Sequence, residues 1–436
     1  MQSSSNKHLD SVWYISKYLS EPTATDPGSR GYHLMDELVR RGLKVTVLSS
    51  DAGHHFFGSE GLGRRRYSET VRLSGLRLIR IRTLKYWKQR SIRRILSWLD
   101  FELRLLVMPK DRLPRPDVII ASSLSLLTVV SGLLLSFRYR CKFIFEVRDI
   151  WPLTLVEEGG FSRYNPLIFV LSLIEWLGYR CSHAVVGTMP NLGEHVRARV
   201  RRAPPVHCIP IGLDPGSITT EDECTSVRSP TFASPGQLLV GYSGSMGVSN
   251  ALDTLLLCAE ELVHDRRFHF VFLGQGDLEG KYRLRFGHLP NISFLQPVPR
   301  KDVARFLGAC DILWFATRPS LVWKYGQSLN KLVDYMMAGK PVIGCLSGHP
   351  SMIDEAQCGA FVPAGDVAGL RAEVVRLAEL NGDARRELGL RGQRWILAHR
   401  SYRVLALRYQ ALLQGCRGAV AARRAEDAVE SDRGAP

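Results

Sequence analysis

The sequence predicts an α/β protein made of two doubly wound, parallel-sheet domains. Three observations carry this. The chain has 436 residues, more than one ordinary hydrophobic core holds. An alternation of apolar strand and amphipathic helix runs once to about residue 213 and then restarts. Glycine-rich turns recur where strands hand over to helices, at the edge where open sheets bind ligands.

The elements follow in order. Val12 to Leu19 is apolar and rich in β-formers, and a Glu-Pro-Thr-Ala-Thr-Asp-Pro-Gly-Ser-Arg loop follows it. A helix from about Gly31 to Arg41 is stopped by Gly42, and Lys44 to Ser49 is the next strand. Asp117 to Ser122 is a buried strand, the helix Leu124 to Phe137 comes next, and Cys141 to Val147 is a strand ending in Arg148-Asp149-Ile150-Trp151-Pro152. Residues 118–137 form an uncharged run of twenty, long enough to span a bilayer. Its serines divide it more naturally into a strand and a helix, so a soluble reading is preferred. His183 to Gly187 and Val206 to Gly212 close the first half.

Residues 214–236 turn to Ser, Thr, Pro, Asp and Glu and read as a linker. The second half is assigned strand Leu238 to Tyr242, a helix from about Asn250, strands Phe268 to Leu273 and Ile292 to Phe294, helix Arg300 to Leu307 and strand Ile312 to Phe315. Then comes Tyr325-Gly-Gln-Ser-Leu-Asn-Lys-Leu-Val-Asp-Tyr-Met-Met-Ala-Gly-Lys-Pro-Val-Ile343, a polar loop opening an amphipathic helix, a Gly-Lys-Pro stop and an apolar strand. Ala360 to Val362 and a helix from about Val367 continue the pattern. The expected domains are 1–213 and 237–400, with a frayed tail at 416–436.

Composition narrows the function classes. With 45% hydrophobic and 23% charged residues the chain is globular. Its nine cysteines are scattered without a Cys-x-x-Cys pair, which suits reduced thiols in a cytosol. The first ten residues lack the apolar core of a signal peptide, so export is not expected. The histidines form no metal-binding pattern, and His54-His55 read as surface residues. Neither an Asp-x-Asp, a Gly-x-Ser-x-Gly nor a Walker loop occurs, which argues against metal–diphosphate, hydrolase and P-loop readings. The net charge is +16, and between Leu62 and Arg115 there are 16 Lys/Arg against 4 Asp/Glu. This segment 62–115 also carries Trp87 and Trp98, so Trp87, Lys88, Arg93, Arg94 and Trp98 are assigned to an anionic membrane or acceptor surface. A solvated basic face with core-packed tryptophans is the plainer reading.

Candidate chemistry sits at the strand ends. Gly241-Tyr-Ser-Gly-Ser-Met-Gly247 and Phe272-Leu-Gly-Gln-Gly-Asp277 let backbone approach a phosphate, or are simply tight turns. Gly244, Ser245, Gly274 and Gly276 are the residues at issue, with Ser328, Asn330 and Lys331 at the following helix start. Asp334 either caps its helix or accepts hydrogen bonds from a ribose. Asp149 either serves an incoming hydroxyl or pairs with Arg148.

Five motifs in this order resemble the family-4 glycosyltransferases of GT-B fold. They are Pro27-Gly-Ser-Arg, Phe145-Glu-Val-Arg-Asp-Ile-Trp-Pro, Gly241-Tyr-Ser-Gly, Phe272-Leu-Gly-Gln-Gly and Asn330-Lys-Leu-Val-Asp-Tyr-Met. The likeness runs from about residue 10 to 413 and looks nearest to the bacterial N-acetylaminosugar transferases of surface polysaccharide synthesis. It implies two Rossmann-like domains facing a central cleft, a final helix at 401–415 crossing back to the first domain, and retaining transfer from a UDP-sugar to a polyprenyl-diphosphate-linked saccharide. Cytoplasmic placement on the inner membrane face follows from it, with neither metal nor nucleic acid required. It implies donor contacts at Gly28, Arg30, Gly244, Ser245, Gly274, Gly276, Ser328, Asn330, Lys331 and Asp334, and catalytic roles for Asp149 and Arg148. Two departures stand out: the first of the family's two spaced glutamates falls on Gly326, and its phosphate-gripping Arg and Lys fall on Ser245 and Asn250. The competing readings are an epimerase of the same fold, and a non-catalytic basic protein binding membrane or nucleic acid.

Overall fold

The structure is a computed structural model, described here for residues 10–23, 26–52, 62, 65–87, 91–123, 125–214 and 236–415. Lys88, His54-His55, nearly all of the expected linker and the tail from 416 lie outside these residues. The chain forms two compact units. Unit 1 comprises the chain through Glu21, Gly28–Pro210 and the chain from Tyr402 onward; unit 2 comprises Pro22–Pro27 and Ile211–Ser401. Both are the parallel-sheet α/β units that the alternation predicts.

In unit 1 the strands are β1 (Ser11–Ile15), β2 (Lys44–Ser50), β3 (Tyr67–Val71), β4 (Arg77–Ile81), β5 (Val118–Ser122), β6 (Lys142–Val147), β7 (Ala184–Gly187) and β8 (Val206–Cys208). They lie in the order β3-β4-β2-β1-β5-β6-β7-β8. Only the β3–β4 pair at the edge is antiparallel. β1 and β5 are buried throughout, as strands covered on both faces must be. Side chains alternate between faces. Val12, Tyr14, Ile120 and Ile144 join the helix Arg30–Arg40 and a helix over 402–415 in one core, through Leu34, Leu38, Leu405 and Tyr409. On the other face the helices Thr128–Tyr139 and Pro166–Cys181 approach β6 closely. A Cβ at Gly132 would sit 2.7 Å from the Phe143 ring, and one at Gly178 2.8 Å from that of Phe145. The uncharged run 118–137 is thus β5 and most of a surface helix. Among the described residues no helix is long and apolar enough to cross a membrane.

Unit 2 contains β9 (Leu238–Ser243), β10 (Phe268–Leu273), β11 (Ile292–Leu295), β12 (Ile312–Ala316), β13 (Val342–Cys345) and β14 (Gly359–Val362). All pair in parallel, in the order β11-β10-β9-β12-β13-β14. The order reverses between β9 and β12, so the loops leaving these two strands flank the switch point where such sheets bind ligands. The helix expected from Asn250 begins later. A short 3-10 turn, Val248–Asn250, ends at Ala251 with φ +42, and the α-helix runs Leu252–Glu261. A left-handed alanine is strained by about 1 kcal/mol or more, and this strain lies in the switch-point loop.

Candidate functional site

Three loops of unit 2 converge at the carboxyl edge of the sheet. Gly244 ends β9 with φ +154, and Gly274 ends β10 with φ +143. A Cβ on Gly274 would lie 1.9 Å from the Gly244 carbonyl oxygen, and one on Gly276 2.6 Å from the Met246 backbone. No other residue fits there, so the backbone itself forms the wall.

The third loop leads into the helix Asn330–Met337. Leu329 caps it without a side-chain hydrogen bond, and its first turn holds no acid. The leading N–H groups therefore face outward with the positive end of the helix dipole. Lys331 lies in that same first turn, where a cation is electrostatically misplaced unless an anion joins it. Its Nζ donates to Asn250 Oδ1 at 2.6 Å and to the Tyr242 hydroxyl at 3.3 Å. It also lies 4.8 Å over the Tyr242 ring and 3.3 Å from where a Gly244 Cβ would be. Burial draws the Lys331 amine down to about 8. Tyr335, one turn on, ties the helix to the end of β9: its hydroxyl donates to Ser243 O at 3.0 Å and accepts from Ser243 N at 2.8 Å.

Two hydroxyls nearby are orphaned. Ser328 Oγ, before the helix, and Thr317 Oγ1, just past β12, are buried and find no hydrogen-bond partner among the described residues. Leaving a buried hydroxyl unpaired costs about 1–3 kcal/mol, a cost that a ligand oxygen would relieve. Arg318 follows Thr317, its side chain is exposed, and its backbone N–H donates to Ser249 O at 3.3 Å, joining the β9 and β12 loops. Asp334 is engaged already: Arg300 Nη2 pairs with Asp334 Oδ1. Burial raises the Asp334 carboxyl and Arg300 opposes the rise. Gly326 stands at φ +107 after a short 3-10 turn, where the family places a glutamate. The structure therefore gathers Gly244, Ser245, Gly274, Gly276, Ser328, Asn330, Lys331 and Asp334 on one sheet edge.

In unit 1, Asp149 and Arg148 follow β6 at the equivalent edge. The Arg148 N–H donates to Ser123 Oγ at 2.9 Å, and Thr188 Oγ1 donates to Arg148 O at 3.0 Å, so neighbouring strand ends fix this turn. The Asp149 side chain reaches solvent, yet its packed surroundings raise the carboxyl above its ordinary value and Arg148 opposes the rise. Gly28, with φ +82, precedes Ser29, which caps the helix Arg30–Arg40.

Arg30 departs from the donor role that the motif implies. Its guanidinium is buried, pairs with Glu146 at 3.0 Å and donates to Ile209 O at 2.7 Å and Pro210 O at 3.1 Å. The Tyr14 and Tyr409 hydroxyls donate to the same carboxylate at 2.7 and 3.2 Å. Burial would raise Glu146, but Arg30, Tyr14 and Arg148 hold it below its ordinary value. Arg30 is thus spent on the core of unit 1. Trp98 needs the same correction as a surface anchor. It is buried, its Nε1 donates to the Tyr18 hydroxyl at 2.7 Å, and Arg94 lies 5.2 Å over its ring. Trp87 and Arg93 are exposed.

Sequence reasoning passed over several groups. Arg318 and Arg300 were legible as cations directly after β12 and at a helix start. Lys17, just past β1, carried no motif. It is buried, and its Nζ donates to Ser97 O at 3.1 Å and Ser97 Oγ at 2.9 Å. Burial draws its amine down to about 7 and pushes the nearby Glu102 carboxyl up to about 8.

Two doubly wound parallel sheets in one chain are the architecture of the GT-B class. The profile of the glycosyl transferase 4-like domain matches residues 27–212, and that of the glycosyl transferases group 1 family matches residues 237–379. Together they span most of the chain, which is a glycosyltransferase carrying both domains. Among solved structures, sucrose-phosphate synthase from Thermosynechococcus elongatus superposes with a TM-score of 0.71 at 14% identity, covering 94% of this chain and 100% of that one. Anabaena HepE in complex with UDP-glucose gives 0.64 at 14%, covering 93% and 99%. WaaG, a glycosyltransferase involved in lipopolysaccharide biosynthesis, gives 0.61 at 15%, covering 90% and 97%. At such identities the likeness is one of fold. No curated protein sequence matches significantly.

Proposed function

We propose that the protein transfers a sugar, an N-acetylaminosugar, from a UDP-sugar to a polyprenyl-diphosphate-linked saccharide with retention of configuration. The observation that carries the donor half is the edge of unit 2. Gly244, Gly274 and Gly276 bring backbone to a diphosphate, the uncapped helix Asn330–Met337 offers its N–H groups, and Lys331 supplies charge. Lys331 and Arg318 take over from the two cations the family usually places at Ser245 and Asn250. Asn250 contributes differently, by orienting the Lys331 amine. Asp334 receives the ribose once Arg300 shares it. The fold neighbours support the nucleotide: HepE is described in complex with UDP-glucose and with UDP. On unit 1, Asp149 serves the acceptor hydroxyl, with Arg148 beside it.

A thermal-shift screen against UDP, GDP, ADP and their sugar conjugates tests this. A ligand at 100 times its dissociation constant adds about 2.7 kcal/mol of stability. The expected result is a selective shift with UDP and UDP-N-acetylaminosugars. Shifts with GDP or ADP alone, or none at all, would overturn the donor assignment.

A further inference from the structure

Unit 1 exposes far more apolar side chain on one face than its core accounts for. On the helix Ile92–Val107, Ile92, Leu96, Leu99, Leu103 and Val107 form a single outward stripe at steps of three and four. Ile92 is 77%, Leu103 64% and Val107 81% exposed. The neighbouring helix Thr128–Tyr139 presents Val130, Leu134 and Phe137, the last 71% exposed. Beyond it, the helix Pro166–Cys181 presents Phe169, Leu173 and Trp176, with Phe169 at 72%. The first helix packs on the second and the second on the third, so the three stripes are contiguous. A patch of this breadth marks an interaction surface.

Charge decides its occupant. The three helices contain only three carboxylates. Asp100 is bonded by Arg104 at 2.6 Å, Glu102 is buried against Ser131, and Glu175 is buried between His195 and Arg199. Arg93, Arg138 and Arg180 remain exposed on the same helices. Among the described residues of these three helices, the face is therefore apolar with cations and no unpaired carboxylate. Two copies meeting about a twofold axis would bring these arginines against one another. Nucleic acid would leave the apolar stripes uncovered.

We propose that this three-helix face lies on an anionic lipid bilayer, its stripes set into the headgroup boundary and its arginines on lipid phosphates. The contact goes beyond the basic segment 62–115, since two of its three helices lie outside that segment and Trp98 takes no part. It also stands apart from the sugar-transfer reading, because no donor or acceptor enters its test.

Flotation with phosphatidylcholine vesicles, with and without 30% phosphatidylglycerol, reads the partition of the full-length protein. Two triple variants follow: Leu103→Glu/Phe137→Glu/Phe169→Glu and Arg93→Gln/Arg138→Gln/Arg180→Gln. The control is Leu284→Glu, an exposed leucine of unit 2. Binding is expected only on the anionic vesicles. The apolar variant should lose at least about tenfold. The arginine variant should lose on the order of 100-fold, near fivefold per cation. The control should bind as the unaltered protein does, and the substituted side chains are exposed, so melting should shift little. Absence of binding by the unaltered protein overturns the proposal, as does binding by both triple variants at the level of the unaltered protein. So does an apolar variant that turns a dimer into a monomer while its vesicle binding is unchanged, since the face would then cover a second copy.

Discussion

If a diphosphate docks before the helix Asn330–Met337, replacing Lys331 by methionine removes one charge-assisted hydrogen bond and the pH dependence that goes with it. Methionine matches the stem of the lysine, so the packing against Tyr242 is largely kept and the melting temperature should move by only a few degrees. A hydrogen bond to a charged group is worth about 1.5–3 kcal/mol, so the UDP dissociation constant should rise roughly 10- to 150-fold. The pH profile gives a second, independent reading. In the free protein the amine titrates at about 8 because burial disfavours its charge. A bound diphosphate favours that charge and raises the value in the complex. Affinity should therefore be flat below pH 8. Above it, affinity should fall by up to about tenfold per pH unit until the titration of the complex is reached. Above pH 8 the phosphates are fully ionised, since their last proton leaves near pH 6, so the fall there belongs to the amine. Calorimetric titrations with UDP at pH 6.5, 7.5, 8.5 and 9.5 measure both effects. A variant that binds within twofold of the unaltered protein, or a profile flat to pH 9.5, would refute the assignment of Lys331 to the diphosphate.

Two further outcomes are expected. Glu146→Gln leaves the Arg30 charge buried without its counter-ion, so chemical denaturation should show a loss of about 3–5 kcal/mol; a loss below 1 kcal/mol would mean that solvent reaches this network. Gly274→Ala forces a Cβ against the Gly244 carbonyl at a positive φ and should abolish the UDP-induced thermal shift, whereas Gly280→Ala, with open space around it, should preserve it.

Strands such as β5, β10 and β12 were legible because a strand buried on both faces reads as an unbroken apolar run. The pair β3–β4 was not. Tyr67 to Val71 is an exposed edge with a polar middle, and the surrounding arginines hide its alternation. Trp98, Phe101 and Leu105 point inward at helical spacing, a pattern that assigning a helix to the basic segment would have revealed. Arg30 looked ligand-bound because its Pro-Gly-Ser-Arg context is local, while the carboxylate that claims it lies on β6. That the glycine turns and the start of the Lys331 helix would gather at one sheet edge was readable from their order alone. That Asn250 would accept from the Lys331 amine was not legible, since the two lie 81 residues apart and no local pattern joins them.

The helix over 402–415 gives this chain an unusual order of assembly. Its Tyr409 hydroxyl completes the hydrogen bonding of Glu146, and its Leu405 and Leu413 fill the core of unit 1. On the ribosome, unit 1 emerges before unit 2, yet the face shared by the helix Arg30–Arg40 and the helix over 402–415 stays only partly covered until all of unit 2 has been made. The later unit can close on itself as it appears, whereas the earlier one must keep a greasy, half-finished sheet in solution for the interval. Synthesis therefore has a vulnerable period set by the length of unit 2. A stop codon or protease cut just before Tyr402 would leave a complete unit 2 joined to a unit 1 that never closes.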